Sequence, residues 1–129
     1  MRASAAQRGH HDVSIKHYAF AKLIIILFYF FVENGVAAGA GEILLNSVDR
    51  DGLMGGMDLD LIKEASLSLS VPLIAIGGVG SMDDIKKAVT SGASAVAAGA
   101  FFVYHGPYRA VLITYPKYQD LENLLRDLT

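Results

Sequence analysis

The stretch VPLIAIGGVGSMDDIKKAVTSGASAVAAGAFF, residues 71–102, decides the architecture of this chain. Residues 71–76 form an unbroken apolar run of strand length, with Pro72 at its start, where a strand tolerates a missing N–H. The run breaks at Gly77-Gly78-Val79-Gly80. Ser81 and Asp84 then have capping-box spacing, with aspartate in place of the usual glutamate, and open the helix MDDIKKAVTSG. Ile85, Ala88 and Val89 supply its apolar face, and Gly92 suits the position just past its end. A further run of small and branched residues, 93–103, follows. Strand, glycine turn, helix and second strand make a βαβ unit, whose strands are parallel.

The same pattern extends outward. EILLNSV, 42–48, is another short apolar run, and it ends in Asp49-Arg50-Asp51-Gly52. MDLDLIKEASLSLS, 57–70, reads as a helix with Asp58 as N-cap and Leu59, Ile62, Ala65 and Leu69 on one stripe. At the far end, YPKYQDLENLLRDLT places Tyr118, Leu121, Leu125 and Leu128 on a helical stripe. The strands lack in/out alternation, which predicts a parallel sheet covered on both faces. Three strands neither close a barrel nor make a comfortable open sheet, so the chain is expected to be part of a larger one.

Each strand ends in residues that suit an anion. In parallel α/β folds, ligands sit beyond the carboxyl ends of the strands. Glycines there let backbone N–H groups approach a ligand with no Cβ between them. Successive turns of that kind form a phosphate cradle with little need of side-chain cations. Taken singly, GGVG serves as an ordinary βα turn, AAGA as tight packing and DRDG as a salt-bridged turn. Their occurrence in order, at the same end of consecutive strands, is what points to a phosphate ligand.

Composition narrows the classes. The chain has 129 residues, 53% hydrophobic and 19% charged, with a formal net charge of −2 and no cysteine. That balance excludes a general nucleic-acid binder. Absence of cysteine excludes disulfides and thiolate metal sites and fits a reducing compartment such as the cytoplasm. Residues 1–17 read as a poorly ordered leader. His10, His11 and His17 lack a ligand spacing and are expected to be solvated, so neither metal nor cofactor is expected. AFAKLIIILFYFFV, 19–32, falls short of the roughly 20 residues of a spanning helix, which favours a buried helix, with a signal-peptide reading as the alternative.

GAGEILLNSVDRDG (39–52) and VPLIAIGGVGSMDDIKKAVTSGASAVAAGAFF resemble the C-terminal part of the cyclase subunit of imidazole glycerol phosphate synthase, the HisF family. The resemblance covers about residues 18–129 and is close from Gly39 to Phe102. It implies a partial (β/α)8 TIM barrel, with these strands as the sixth to eighth and the apolar segment as the fifth helix. It implies a phosphate grip at Asp51, Gly52, Gly78, Gly99 and Ala100, with Asp49 and Arg50 shaping the turn. It also implies a glutamine amidotransferase partner (HisH-like) supplying ammonia, and a phosphorylated small-molecule substrate in histidine biosynthesis.

The family's acid and base are aspartates on the first and fifth strands, so neither is assigned here, and the isolated chain is expected to be inactive as a cyclase. Asn46, Ile76 and Gly99-Ala100 stand where the family commonly has threonine, serine and Ala-Ser. The segment FFVYHGPYRAVLITYP, 101–116, resembles instead HisF-like paralogues associated with surface-sugar amidation. His105 within it is expected to be structural. A noncatalytic phosphosugar-binding module is the reading from another class. An open half-barrel with unpaired edges is expected to self-associate.

Overall fold

The computed structural model describes Phe30 and residues 33–128. The leader, the three N-terminal histidines and nearly all of the apolar 19–32 segment lie outside the described residues. Strands β1 (Ile43–Asn46), β2 (Leu73–Ile76) and β3 (Ala95–Ala97) lie side by side in chain order, each parallel to the next. The register sets Ile43 against Leu73 and Ala75 against Val96. Successive side chains of a strand point to opposite faces. Ile43, Leu45, Leu73, Ala75 and Val96 therefore share one face, and Leu44, Asn46, Ile74 and Ile76 share the other.

Helices α1 (Leu59–Ser68) and α2 (Met82–Thr90) form the crossovers and cover the first face. Their apolar positions recur at helical spacing. Ile62 and Ala65 of α1 and Ile85 and Ala88 of α2 are buried against Leu73 and Ala75, with Met57, Val79 and Ala93 completing the core. Leu73 is the one large side chain sealed completely among the described residues. The Asp58 carboxylate accepts the Leu61 N–H at 3.2 Å, as an N-cap should.

The box at α2 has an added bond. The Ser81 hydroxyl accepts the Asp84 N–H at 3.2 Å and donates back to the Asp84 carboxylate at 2.9 Å. That carboxylate also accepts the Gly80 N–H at 3.1 Å, one residue earlier than a standard box, and so fastens the glycine turn to the helix. Gly92 ends α2 with φ +111°. Its N–H donates to the Val89 carbonyl, and that of Ala93 to the Ala88 carbonyl, the paired bonds of a Schellman stop.

Two expectations need correction, one on the sheet and one on the last helix. The second sheet face is not covered by any element among the described residues: Leu44 is 61% exposed, and β1 alternates between half-buried and exposed. The third strand, Ala95–Ala97, does end at the Ala98-Gly99-Ala100 corner as expected, and Ala100–Val103 then turns into a short helix, α3. The C-terminal helix α4 (Tyr118–Leu125) packs through Leu124, while Tyr118 is 79% exposed, so the stripe is rotated from the one read in sequence.

An unanticipated element follows α3. Strands β4 (Tyr104–His105) and β5 (Ala110–Val111) pair antiparallel around the turn Gly106–Arg109. The hairpin is continued by the Leu112 N–H bonding to the Val103 carbonyl and that of Thr114 to the Phe102 carbonyl. His105 is exposed.

Candidate functional site

The turn after β1 begins as one turn of 3₁₀ helix, Val48–Arg50, and runs on to Gly56. Arg50 points back into this loop. Its guanidinium donates to the Gly56 carbonyl at 3.4 Å and lies 3.8 Å from the Asp58 carboxylate, so it braces the loop.

The turn after β2 is pressed against that loop. The Gly56 N–H donates to the Gly78 carbonyl at 2.8 Å. A Cβ on Gly78 would lie 2.2 Å from the Gly56 carbonyl oxygen, and one on Gly80 would lie 2.1 Å from that of Met54. Gly78 also has φ +95°, a backbone state that side chains disfavour. The GGVG glycines thus have a packing reason that is independent of any ligand.

Gly52 and Gly99 differ. A Cβ on either would meet nothing within 4 Å, so both face open space.

All five residues read from the sequence come together. Asp51, Gly52, Gly78, Gly99 and Ala100 line one notch, with Ile76, Gly77, Val79 and Ala98 between them. Gly77 and Gly78 form its buried floor, Ala100 is half-buried, and Asp51, Gly52 and Gly99 are the exposed rim. Among the described residues, the N–H groups of Gly52, Gly78, Gly99 and Ala100 donate to no other group. Free backbone donors on the residues that line a notch are a chemical requirement for holding an oxyanion there.

The notch encloses about 10 Å³, room for one water-sized particle. A phosphate would therefore seat one oxygen in it and rest on the rim.

Two side-chain charges adjoin the rim. The Asp51 carboxylate opposes an anion, although its exposure lets solvent screen it. Arg109, from the hairpin turn, donates to the Gly52 carbonyl at 3.0 Å and to the Leu53 carbonyl at 3.3 Å. Nothing in the sequence marked Arg109, because 57 residues separate it from Gly52.

Lys87 is held above its ordinary pKa by its hydrogen bond to Asp83 and the attraction of that carboxylate. It lies on α2, outside the residues that line the notch. A wider cleft of about 300 Å³, lined by Met82, Phe101, His105, Tyr115 and Lys117 among others, includes none of the five corner residues. No group of three metal-ligating side chains occurs, and no helix is long and apolar enough to cross a membrane, among the described residues.

A parallel α/β sheet that gathers glycine corners at its carboxyl edge defines the class: a βα-repeat protein, the class in which ligands sit at the strand ends. The chain belongs to the histidine biosynthesis protein family, whose family model matches residues 13–109.

A protein of Leptospira interrogans, provisionally named as the HisF subunit of imidazole glycerol phosphate synthase, is 46% identical over 94 residues. These make up 72% of this chain and 37% of that protein. A similarly named protein of Pseudomonas aeruginosa is 50% identical over 86 residues, 66% of this chain and 34% of its own length. The imidazole glycerol phosphate synthase subunit HisF of Corynebacterium diphtheriae is 49% identical over 70 residues, 54% of this chain and 27% of its own. The chain thus spans little more than a third of the length of the curated relatives it matches.

Proposed function

We propose that this chain carries the phosphate-binding βα units of a HisF-type cyclase subunit, corresponding to strands six to eight of a (β/α)8 barrel. One observation carries the reading: corners from three consecutive strands line a single notch, and four of the lining residues have uncommitted N–H groups. Asp51, Gly52, Gly78, Gly99 and Ala100 hold one phosphate of a phosphorylated substrate, chiefly through backbone amides. With the remaining barrel strands, the site serves the formation of imidazole glycerol phosphate from glutamine-derived ammonia in histidine biosynthesis, with a HisH-like amidotransferase as partner. No described residue supplies a paired acid and base across the notch, so the 129-residue chain alone binds phosphate without turning over substrate.

The test is a titration of the purified chain with inorganic phosphate and with a ribose phosphate, followed by amide NMR, beside an assay for ammonia-dependent turnover. Shifts confined to the corner amides, without turnover, are expected. Turnover refutes the division of labour, and unshifted corner amides refute the site.

A second reading, the HisF-like subunit of surface-sugar amidation, is favoured by Ile76. That side chain lines the notch where the resemblance leads one to expect a serine hydroxyl. Addition of the missing N-terminal βα units to the chain, followed by assay with the two substrate classes, decides between them.

A further inference from the structure

We propose that Arg109 is a positioning residue for the phosphate site: the β4–β5 hairpin uses it to hold the Gly52 corner in anion-binding form. The inference rests on the phosphate reading and adds to it a residue from outside the three corners.

The loop 50–56 is fixed on one side only by the glycine turn after β2, through Gly56 and Met54. Its other side, at Gly52 and Leu53, is exposed. There the Arg109 guanidinium bridges two successive carbonyls, those of Gly52 and Leu53. Both bonds come from one nitrogen, Nη2, whose two hydrogens engage adjacent carbonyls and so set the direction of the peptide planes that bear them. The Leu53 N–H is tied in turn to the Arg50 carbonyl at 3.1 Å. With Gly52 at φ +73°, a loop without these two bonds has several conformations open to it.

Backbone geometry agrees. The non-glycine residues with positive φ among those described are Arg109 (φ 49°) and Met54 (φ 57°). They stand at the two attachments of this one loop: Arg109 grips Gly52 and Leu53, and Met54 lies against Gly80. Side chains adopt this region at a cost, and such residues persist where the surroundings over-determine them. The hairpin supplies that support. The Arg109 N–H bonds to the Gly106 carbonyl at 3.1 Å, and the guanidinium carbon lies 5.8 Å from the centroid of the Tyr104 ring.

The experiment compares wild type, Arg109→Ala and Arg109→Lys in the full 129-residue chain, with inorganic phosphate as the probe and amide NMR as the readout. Circular dichroism and the unchanged resonances of α1 and α2 verify that each variant is folded. Arg109→Ala is expected to weaken phosphate binding about three- to tenfold, the range for an exposed charge-assisted contact. Phosphate-induced shifts of Gly52 and Leu53 are expected to collapse while those of Gly99 and Ala100 persist. In the absence of phosphate, the Leu53 amide is expected to exchange faster in Arg109→Ala than in wild type. Arg109→Lys, whose ammonium can also donate from one nitrogen to two carbonyls, is expected to restore the Gly52 and Leu53 shifts together with the slow Leu53 exchange.

Recovery of phosphate affinity in Arg109→Lys while the phosphate-free Leu53 exchange stays as fast as in Arg109→Ala overturns positioning in favour of simple charge. A folded Arg109→Ala chain that binds as wild type does, with unaltered Leu53 exchange, also overturns the inference while leaving the phosphate site intact. Failure of wild type itself to bind sinks both readings together.

Discussion

Replacement of Gly78 by alanine puts a methyl group where the Gly56 carbonyl oxygen stands, 2.2 Å from the ideal Cβ, with the Arg50 Cβ at 3.1 Å. Both neighbours are poor at yielding, since one is backbone and the other is the root of a braced side chain. Relief comes from moving the 50–56 loop away, which breaks the 2.8 Å bond from the Gly56 N–H to the Gly78 carbonyl, worth about 1 kcal/mol. A side chain at φ +95° adds about 1–2 kcal/mol. The expected loss is therefore about 2–3 kcal/mol. With a urea slope of about 2 kcal/mol per molar, the unfolding midpoint falls by about 1 M.

Gly99→Ala is the control. Its φ is −113°, its Cβ meets nothing within 4 Å, and its stability should stay within about 0.5 kcal/mol of wild type. Its methyl group stands in the open space at the rim, so phosphate binding should weaken although the fold does not. Equilibrium urea unfolding and phosphate titration of both variants separate the two kinds of glycine. A Gly78→Ala chain as stable as wild type refutes the packing argument. A Gly99→Ala chain that keeps full phosphate affinity refutes the site.

Other perturbations have definite outcomes. Leu73→Ala empties the one large sealed core position and should cost about 2–5 kcal/mol in urea unfolding. Ser81→Ala removes the α2 cap and should cost about 1 kcal/mol, with faster exchange of the Asp84 amide. Asp83→Asn should lower the Lys87 pKa, read from the side-chain NMR titration. Because the folded value is raised, the stabilisation from this pair is present below the ordinary lysine pKa and is lost as pH climbs through the folded one, where wild type and variant converge. Leu44, exposed on the open sheet face, should drive association, and light scattering should show Leu44→Asp shifted toward monomer.

The sequence was most legible where a local rule acts within a few residues. The Asp58 cap, the Ser81–Asp84 box and the Gly92 stop are all as the spacing predicts, because each depends on one turn of chain. The three corners were readable as a group because strand order puts all βα turns at one edge of a parallel sheet, whereas the choice of five residues within them came from the family resemblance. The bare sheet face was not, since an apolar run such as ILLN looks alike whether one face or two are covered. The 104–111 hairpin has two-residue strands, too short for any period to declare itself. Leu124 took the core position expected of Leu125 because neighbouring leucines let the helix settle in either rotation. The Arg109 contact joins positions far apart in the chain, and no local signal announces it.

The interlock between Gly56 and Gly78 bears on how such chains are shuffled. The first two corners meet backbone to backbone at van der Waals limits, so they behave as one cassette; a graft that takes one without the other should bring mismatched loops into collision. The third corner, around Gly99, has no such neighbour at its Cβ. A recombination seam within α2, between Ser81 and Thr90, should therefore yield folded chimaeras, whereas one between Asp58 and Leu73 should not.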